Sequence, residues 1–245
     1  VSPPARTTNP PPAPSPPLPA NIIACAVVGS TAYGLAREGS DVDTLGVFVA
    51  PTLRVAGLSW TSGQETIVRT GPDSTYHEVG KYLRLALDCN PTILDLMWAD
   101  AKTTSPYGDA LVAMRGAFLH EKKVRSSYGG YARAQVHKME AAARAGDRNP
   151  KAAKHARHVL RLLRQGRQLL TTGDMTLQVA DPEEYWAFDH LDPDEAKAVF
   201  APEMELFDNA TSVLPPAPDR ARVEEFLDWV RYAHVTPPPT PRSTP

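Results

Sequence analysis

From Val27 to Val49 the chain reads VVGSTAYGLAREGSDVDTLGVFV, and this stretch limits what the chain can fold into more than any other. One apolar run ends at Gly29-Ser30 and a second opens at Asp41-Val42-Asp43. Extended backbone points alternate side chains the same way, so a strand through this point puts Asp41 and Asp43 on one face and Val42 on the other. Neighbouring carboxylates repel unless a cation lies between them. Magnesium suits them, because it takes hard oxygen ligands, commonly one or two carboxylates with substrate phosphates. A strand over Ile22 to Val28 leads through Gly29-Ser30 into a short helix-like segment over Thr31 to Arg37. Such a turn exposes N–H groups and the positive end of a helix dipole, which suits phosphate. Gly29 permits close approach of the backbone, and Ser30 adds a hydroxyl donor.

The remaining chain follows from periodicity and breakers. Strands are predicted over Asn21 to Val28, over Thr44 to Ala50 where Pro51 stops it, and over Gln64 to Arg69. Glu38-Gly39-Ser40 forms the turn ahead of the carboxylates, and Gly71-Pro72 breaks the chain again. A helix over Ser74 to Leu87 follows, for which Asp73 would serve as N-cap. Asn90-Pro91 ends it and opens a short helix over Thr92 to Trp98. Asp95 and Asp100 read as surface or cap residues, and Trp98 as core. From Pro106 the pattern is helical: Pro106 to His120, Ser126 to Ala145 and Pro150 to Thr171, then shorter helices over Pro182 to Phe188, Asp194 to Asn209 and Asp219 to Ala233. The fold class is therefore α+β. A small sheet with helices over residues 21–105 precedes an all-helical part over 106–235. Residues 1–20 hold nine of the chain's 25 prolines and read, with 236–245, as disordered Pro-rich tails.

Composition excludes several classes. Cys25 and Cys89 lie in apolar contexts without metal spacing or a disulfide framework, which implies a reducing, cytoplasmic setting. No apolar run approaches transmembrane length, so no membrane partner is expected. The N-terminus lacks the order of a signal peptide. Charge is unevenly spread. Residues 120–170 carry thirteen Lys or Arg against three Asp or Glu, and residues 171–234 carry four against fifteen. The basic block could line a cleft and hold triphosphate or nucleic acid. Equally, the acidic segment could fold against it and neutralise it.

Five ordered blocks, GSTAYGL, GSDVDTLGVFVAP, KYLRLALDCNPTILDLMW, GGYARAQ and KHARHVLRLL, resemble the RlaP-type (RNA-ligase-associated) nucleotidyltransferases of the DNA polymerase β superfamily. The resemblance runs from Asn21 to His234. It implies a polymerase-β-type nucleotidyltransferase fold, a small mixed sheet with helices, followed by a helical domain. It also implies metal-dependent transfer of a nucleoside monophosphate from a nucleoside triphosphate to a hydroxyl acceptor, with RNA or tRNA as a candidate acceptor and pyrophosphate released. Two magnesium ions, or manganese in their place, would be held by Asp41, Asp43 and a third carboxylate. The family pattern of an Asp eight residues before a Lys is matched by Asp73 and Lys81. Glu65, on the predicted third strand, is the rival for that role. Gly29 and Ser30 would grip the phosphates, with Ser40 bracing the turn and Lys81 and Lys154 offsetting the triphosphate charge. Lys154, His158 and Arg161 or Arg157 recur at helical spacing, so several share one face. The Lys-His pair of KHxxH falls at Lys154-His155, with His158 lining the cleft or standing behind the residues that line it, and Gln135 the polar member of Tyr128, Tyr131 and Gln135 that reaches the cleft. Tyr33 packs near the nucleotide or in the local core. Two other readings stand beside transfer: a catalytically inactive nucleotide-binding regulatory protein, and a phosphohydrolase with the same metals. Base preference, acceptor and oligomeric state are left open.

Overall fold

The computed structural model describes residues 15–144 and 150–235. The expectations for 1–14 and 236–245 lie outside these residues. Ser15 and Pro16, placed above in the N-terminal tail, lie against a strand: Ser15 Oγ bonds to the Thr70 carbonyl at 2.6 Å, and Arg69 Nε donates to the Pro16 carbonyl at 2.8 Å.

Five strands form a mixed sheet: β1 (Ile22–Val28), β2 (Asp43–Phe48), β3 (Thr66–Arg69), β4 (Ser74–Glu78) and β5 (Lys102–Thr103). Their order is β3-β4-β2-β1-β5, with β2 and β4 parallel and the other pairs antiparallel. Register does the positioning. Val28 lies opposite Asp43, and Thr44 lies opposite Ser74. The Thr44 N–H also donates to the Asp73 carbonyl at 3.0 Å. Gly29, Asp43 and Asp73 therefore meet at one end of the central strands.

Three local expectations are corrected. The helix expected over Ser74 to Leu87 is a strand followed by α3 (Val79–Leu87). Ser-Thr-Tyr-His-Glu alternates between buried and half-buried positions, which suits a pleated strand. Glu78 then caps α3, accepting from the Gly80 N–H at 2.8 Å, so Asp73 is no N-cap. The segment expected over Thr31 to Arg37 is the single turn α1 (Gly29–Ala32). Because β2 begins only at Asp43, Asp41 and Val42 precede it, and Val42 is 48% exposed instead of facing a core.

After α2 (Thr52–Val55) and α3, the helices are α4 (Pro91–Trp98), α5 (Pro106–Ala113), α6 (Glu121–Arg144), α7 (Pro150–Thr172), α8 (Pro182–Trp186), α9 (Pro193–Asp208) and α10 (Arg220–Ala233). The long helices α6 and α7 run in opposite directions, since Gln135 meets His155 while Tyr128 meets Gly166. A Cβ on Gly166 would stand 2.8 Å from Tyr128 Cβ, so glycine permits this close approach. One buried cluster runs from Ile23 of β1 to Val230 of α10. The link at residue 105 is crossed by packing, because α10 returns to the sheet side. The Trp229 ring lies tilted against Tyr107, centre to centre 4.5 Å, and Arg231 pairs with the buried Glu78 at 2.6 Å.

The acidic segment folds against the basic block and pairs with three of its arginines: Arg157 with Asp189, Arg164 with Glu184 and Glu203, and Arg167 with Glu203. Lys197 of α9 pairs in the other direction, with Glu140 of α6. Among the described residues, no helix is long and apolar enough to cross a membrane.

Candidate active site

Gly29 has φ +69°, and a Cβ there would stand 2.6 Å from Asp43 Oδ2. The residue is glycine both for its left-handed backbone and because the turn presses against a carboxylate. Asp43 is the electrostatic centre of the group. Partial burial raises its pKa first, the neighbouring Asp73 raises it further, Lys154 of α7 lowers it, and Asp41 adds a smaller rise. These influences place Asp41, Asp73 and Lys154 around Asp43. Three of the predicted carboxylates and one predicted lysine are thus brought together.

The rival Glu65 lies elsewhere. Its carbonyl accepts from the Glu78 N–H at 2.9 Å and its carboxylate pairs with Arg84 at 2.5 Å, at the opposite end of β4 from Asp73. Lys81 is also displaced, which corrects its assignment to the triphosphate. The strand between Asp73 and Lys81 is five residues long, which spans about 16 Å. Lys81 Nζ donates instead to Thr66 Oγ1 at 2.6 Å.

Ser40 braces the turn ahead of Asp41: its Oγ accepts from the Arg37 N–H and its own N–H donates to the Arg37 carbonyl, both at 2.9 Å. Arg37 reaches the helical part, pairing with Asp189 at 2.6 Å and lying over the Trp186 ring at 5.0 Å. Ser30 is half-buried at the start of α1, and its carbonyl accepts from the Leu35 N–H at 2.8 Å.

His158 lies against a buried side chain, which corrects its assignment as a nucleotide contact and fits the other place expected for it, behind the residues that line the cleft. Its ring lies against Arg161, with Nδ1 at 3.2 Å from the guanidinium, and burial followed by the Arg161 charge pushes its pKa down to about 3. His155 contacts Gln135 at 2.7 Å, which links α7 to α6 beside the exposed Lys138 and Lys154. Tyr128 is fully buried, Tyr131 is half exposed, and Trp98 is half-buried with its indole N–H on Asp174 at 2.6 Å.

Two residues lie deeper than the sequence reading places them. Asp95, expected at the surface, is fully buried and accepts from the Tyr33 hydroxyl; burial lifts its pKa to about 6. Arg161 is 1% exposed, with its guanidinium 3.9 Å from the centre of the Tyr33 ring. A signal existed in both cases. Asp95 stands in ILDLMW and Arg161 in VLRLLR, and helices apolar on nearly every side are buried ones.

Among the described residues, no three His, Cys, Asp or Glu side chains already stand at metal-ligating spacing. The chemistry of the set still fits a hard divalent cation, because Asp41, Asp43 and Asp73 offer only carboxylate oxygens and their charges oppose one another at Asp43.

Residues 17–183 match the family described as RlaP: RNA repair pathway DNA polymerase beta family. None of the curated proteins matches the chain.

Proposed function

The chain belongs to the RlaP family, the DNA polymerase beta family of the RNA repair pathway, and from that premise we propose that it moves a nucleoside monophosphate from a nucleoside triphosphate to a hydroxyl on RNA. The observation that carries this reading is the meeting of the Gly29 turn, Asp43 and Asp73 at one end of the sheet, with Lys154 beside them.

The acceptor oxygen attacks the α-phosphorus in line, a new P–O bond forms, and the bond to the β-phosphate oxygen breaks to release pyrophosphate. Such chemistry depends mostly on placement and charge. Magnesium, or manganese in its place, would be held by Asp41, Asp43 and Asp73 and would supply charge neutralisation and a more acidic acceptor hydroxyl. The backbone of the Gly29–Ser30 turn approaches the phosphates closely, and the Ser30 hydroxyl donates to them. Lys154 offsets the triphosphate charge. Asp73, exposed at the mouth of the group, takes the proton that the acceptor loses. The RNA acceptor is supported by the family's pathway and by the exposed Lys138 and Lys154. The free Cys25 and Cys89 support a reducing, cytoplasmic setting.

Label transfer tests the reading. The protein is incubated with magnesium or manganese, each α-labelled nucleoside triphosphate in turn, and total RNA, tRNA or cell protein. Label is expected on RNA and absent with Asp43→Ala. Label on protein alone would replace the acceptor. Triphosphate binding without any transfer would favour the regulatory reading, and free nucleoside monophosphate would favour hydrolysis.

A further inference from the structure

Arg161 is the largest side chain buried to this degree in the core. A guanidinium keeps its proton in a protein, and a charge taken out of water needs compensation. Among the described residues, no carboxylate lies within ion-pair distance of Arg161. Its partners are Gln165 Oε1, the His158 ring and the face of Tyr33, and its Nε has no partner. The compensating charge is Asp95, at the hydroxyl end of Tyr33. Asp95 Oδ2 accepts from the Tyr33 hydroxyl, and its Oδ1 is buried without a partner. Tyr33 is therefore held between a cation on its ring face and a carboxylate on its hydroxyl.

The backbone of Tyr33 is tied as well. Its N–H donates to the Gly29 carbonyl at 3.1 Å, and its carbonyl accepts from the Val179 N–H at 3.0 Å. Gln165, which contacts Arg161, also donates to the Thr176 and Leu177 carbonyls at 3.3 Å each, so it holds the segment that reaches Val179. A helix as short as α1 does not hold itself in place, so its position comes from these contacts. On its other side the turn lies close to the Asp43 carboxylate, 2.6 Å from where a Cβ on Gly29 would stand.

We propose that Arg161 is a positioning residue: by gripping the Tyr33 ring it holds the Gly29–Ser30 turn against Asp43, so the helical part of the chain sets the phosphate end of the site. The inference rests on the nucleotidyl-transfer reading of that turn. A plain core-filling role would loosen α6, α7 and the turn alike, whereas a positioning role acts on the turn.

The test compares the full chain with Arg161→Met, Arg161→Lys, Tyr33→Leu and Tyr33→Phe, using amide hydrogen exchange without ligand and equilibrium binding of each nucleoside triphosphate with magnesium. Arg161→Met and Tyr33→Leu are expected to speed exchange at the Tyr33 and Leu35 amides while the middle of α6 stays protected. Both should weaken triphosphate binding about tenfold, the scale of a desolvated cation–ring contact. Arg161→Lys and Tyr33→Phe should lose less, because a cation and a ring remain. Unchanged exchange at those amides with unchanged affinity would overturn the proposal, and so would uniform loosening of α6, α7 and the turn. If Arg161→Met does not fold, Tyr33→Leu and the two conservative variants carry the same comparison. If the wild-type chain binds none of the triphosphates, the transfer reading fails separately, and exchange alone decides whether the turn is held.

Discussion

Asp95, on the Tyr33 hydroxyl, and His158, against the Arg161 guanidinium, respond to acid in opposite ways. Burial lifts the Asp95 carboxyl to about 6, with Arg161 and the Tyr33 hydroxyl limiting the rise. The folded state therefore binds this proton more readily than the unfolded chain does. Its contribution to stability is fully present below the ordinary carboxylate value and is lost as pH rises through about 6. His158, pushed down to about 3, contributes above the ordinary imidazole value and loses that contribution as pH falls toward its folded value. Between about pH 4 and 6 the two trends oppose, each worth up to about 3 kcal/mol. Asp95→Asn should leave the histidine trend uncovered, so that stability falls more steeply with acid than in the wild type. His158→Gln should do the reverse. Urea unfolding midpoints across that range read both slopes, and three parallel curves would refute the assignment. The carboxylates beside the Gly29 turn are easier to read than this pair. Asp41 and Asp43 stand beside a Gly-Ser turn between two apolar runs, a pattern with a chemical purpose. A single charge inside a helix instead reads as solvated, so the burial of Asp95 and Arg161 is not legible there.

At the scale of elements, β4 and α3 show where periodicity misleads. Tyr76, Val79, Tyr82, Leu83 and Ala86 are all buried, and their spacing satisfies a helix even where the chain is extended. The deciding feature is pairing of β4 with β2 and β3, which local sequence does not display. With the strand in place, Asp73 joins Gly29 and Asp43 at one end of the sheet, while Lys81 moves to the other. The C-terminal element was legible as a helix, but its destination was not. Arg231 of α10 meets Glu78 through both guanidinium nitrogens, at 2.6 and 2.9 Å, and Glu78 is 2% exposed. The end of α10 is also capped by α2, whose Thr52 donates its hydroxyl to the Arg231 carbonyl at 2.6 Å and its N–H to the His234 carbonyl at 3.0 Å. Arg231→Met strands a buried carboxylate and should cost about 3–5 kcal/mol in chemical unfolding. Adding Glu78→Gln should recover part of that loss, because the stranded charge is gone. A loss below about 1 kcal/mol would mean the pair is solvated and does not hold α10.

For the whole molecule, the change from a mixed sheet to helices suggests two bodies, yet the contacts bind them at three separated places. Tyr33 is held by Arg161 of α7, Arg37 reaches Asp189, and Glu78 is held by Arg231 of α10. The buried cluster is continuous across all three. The uneven charge has the same consequence. Arg157, Arg164 and Arg167 find their acids in the segment that follows α7, so that segment and the basic block share counter-charges. A body that shares its core and its counter-charges should unfold in one step. Exchange protection in β1 and β2 and in the middle of α7 is therefore expected to vanish at one denaturant concentration, together with the far-ultraviolet dichroism of the helices. Two midpoints, with the helices outlasting the sheet, would show that the helical part holds itself together. The position of the Gly29 turn would then have to come from the sheet alone, because an α7 that stays folded after the turn has melted is not what the turn depends on.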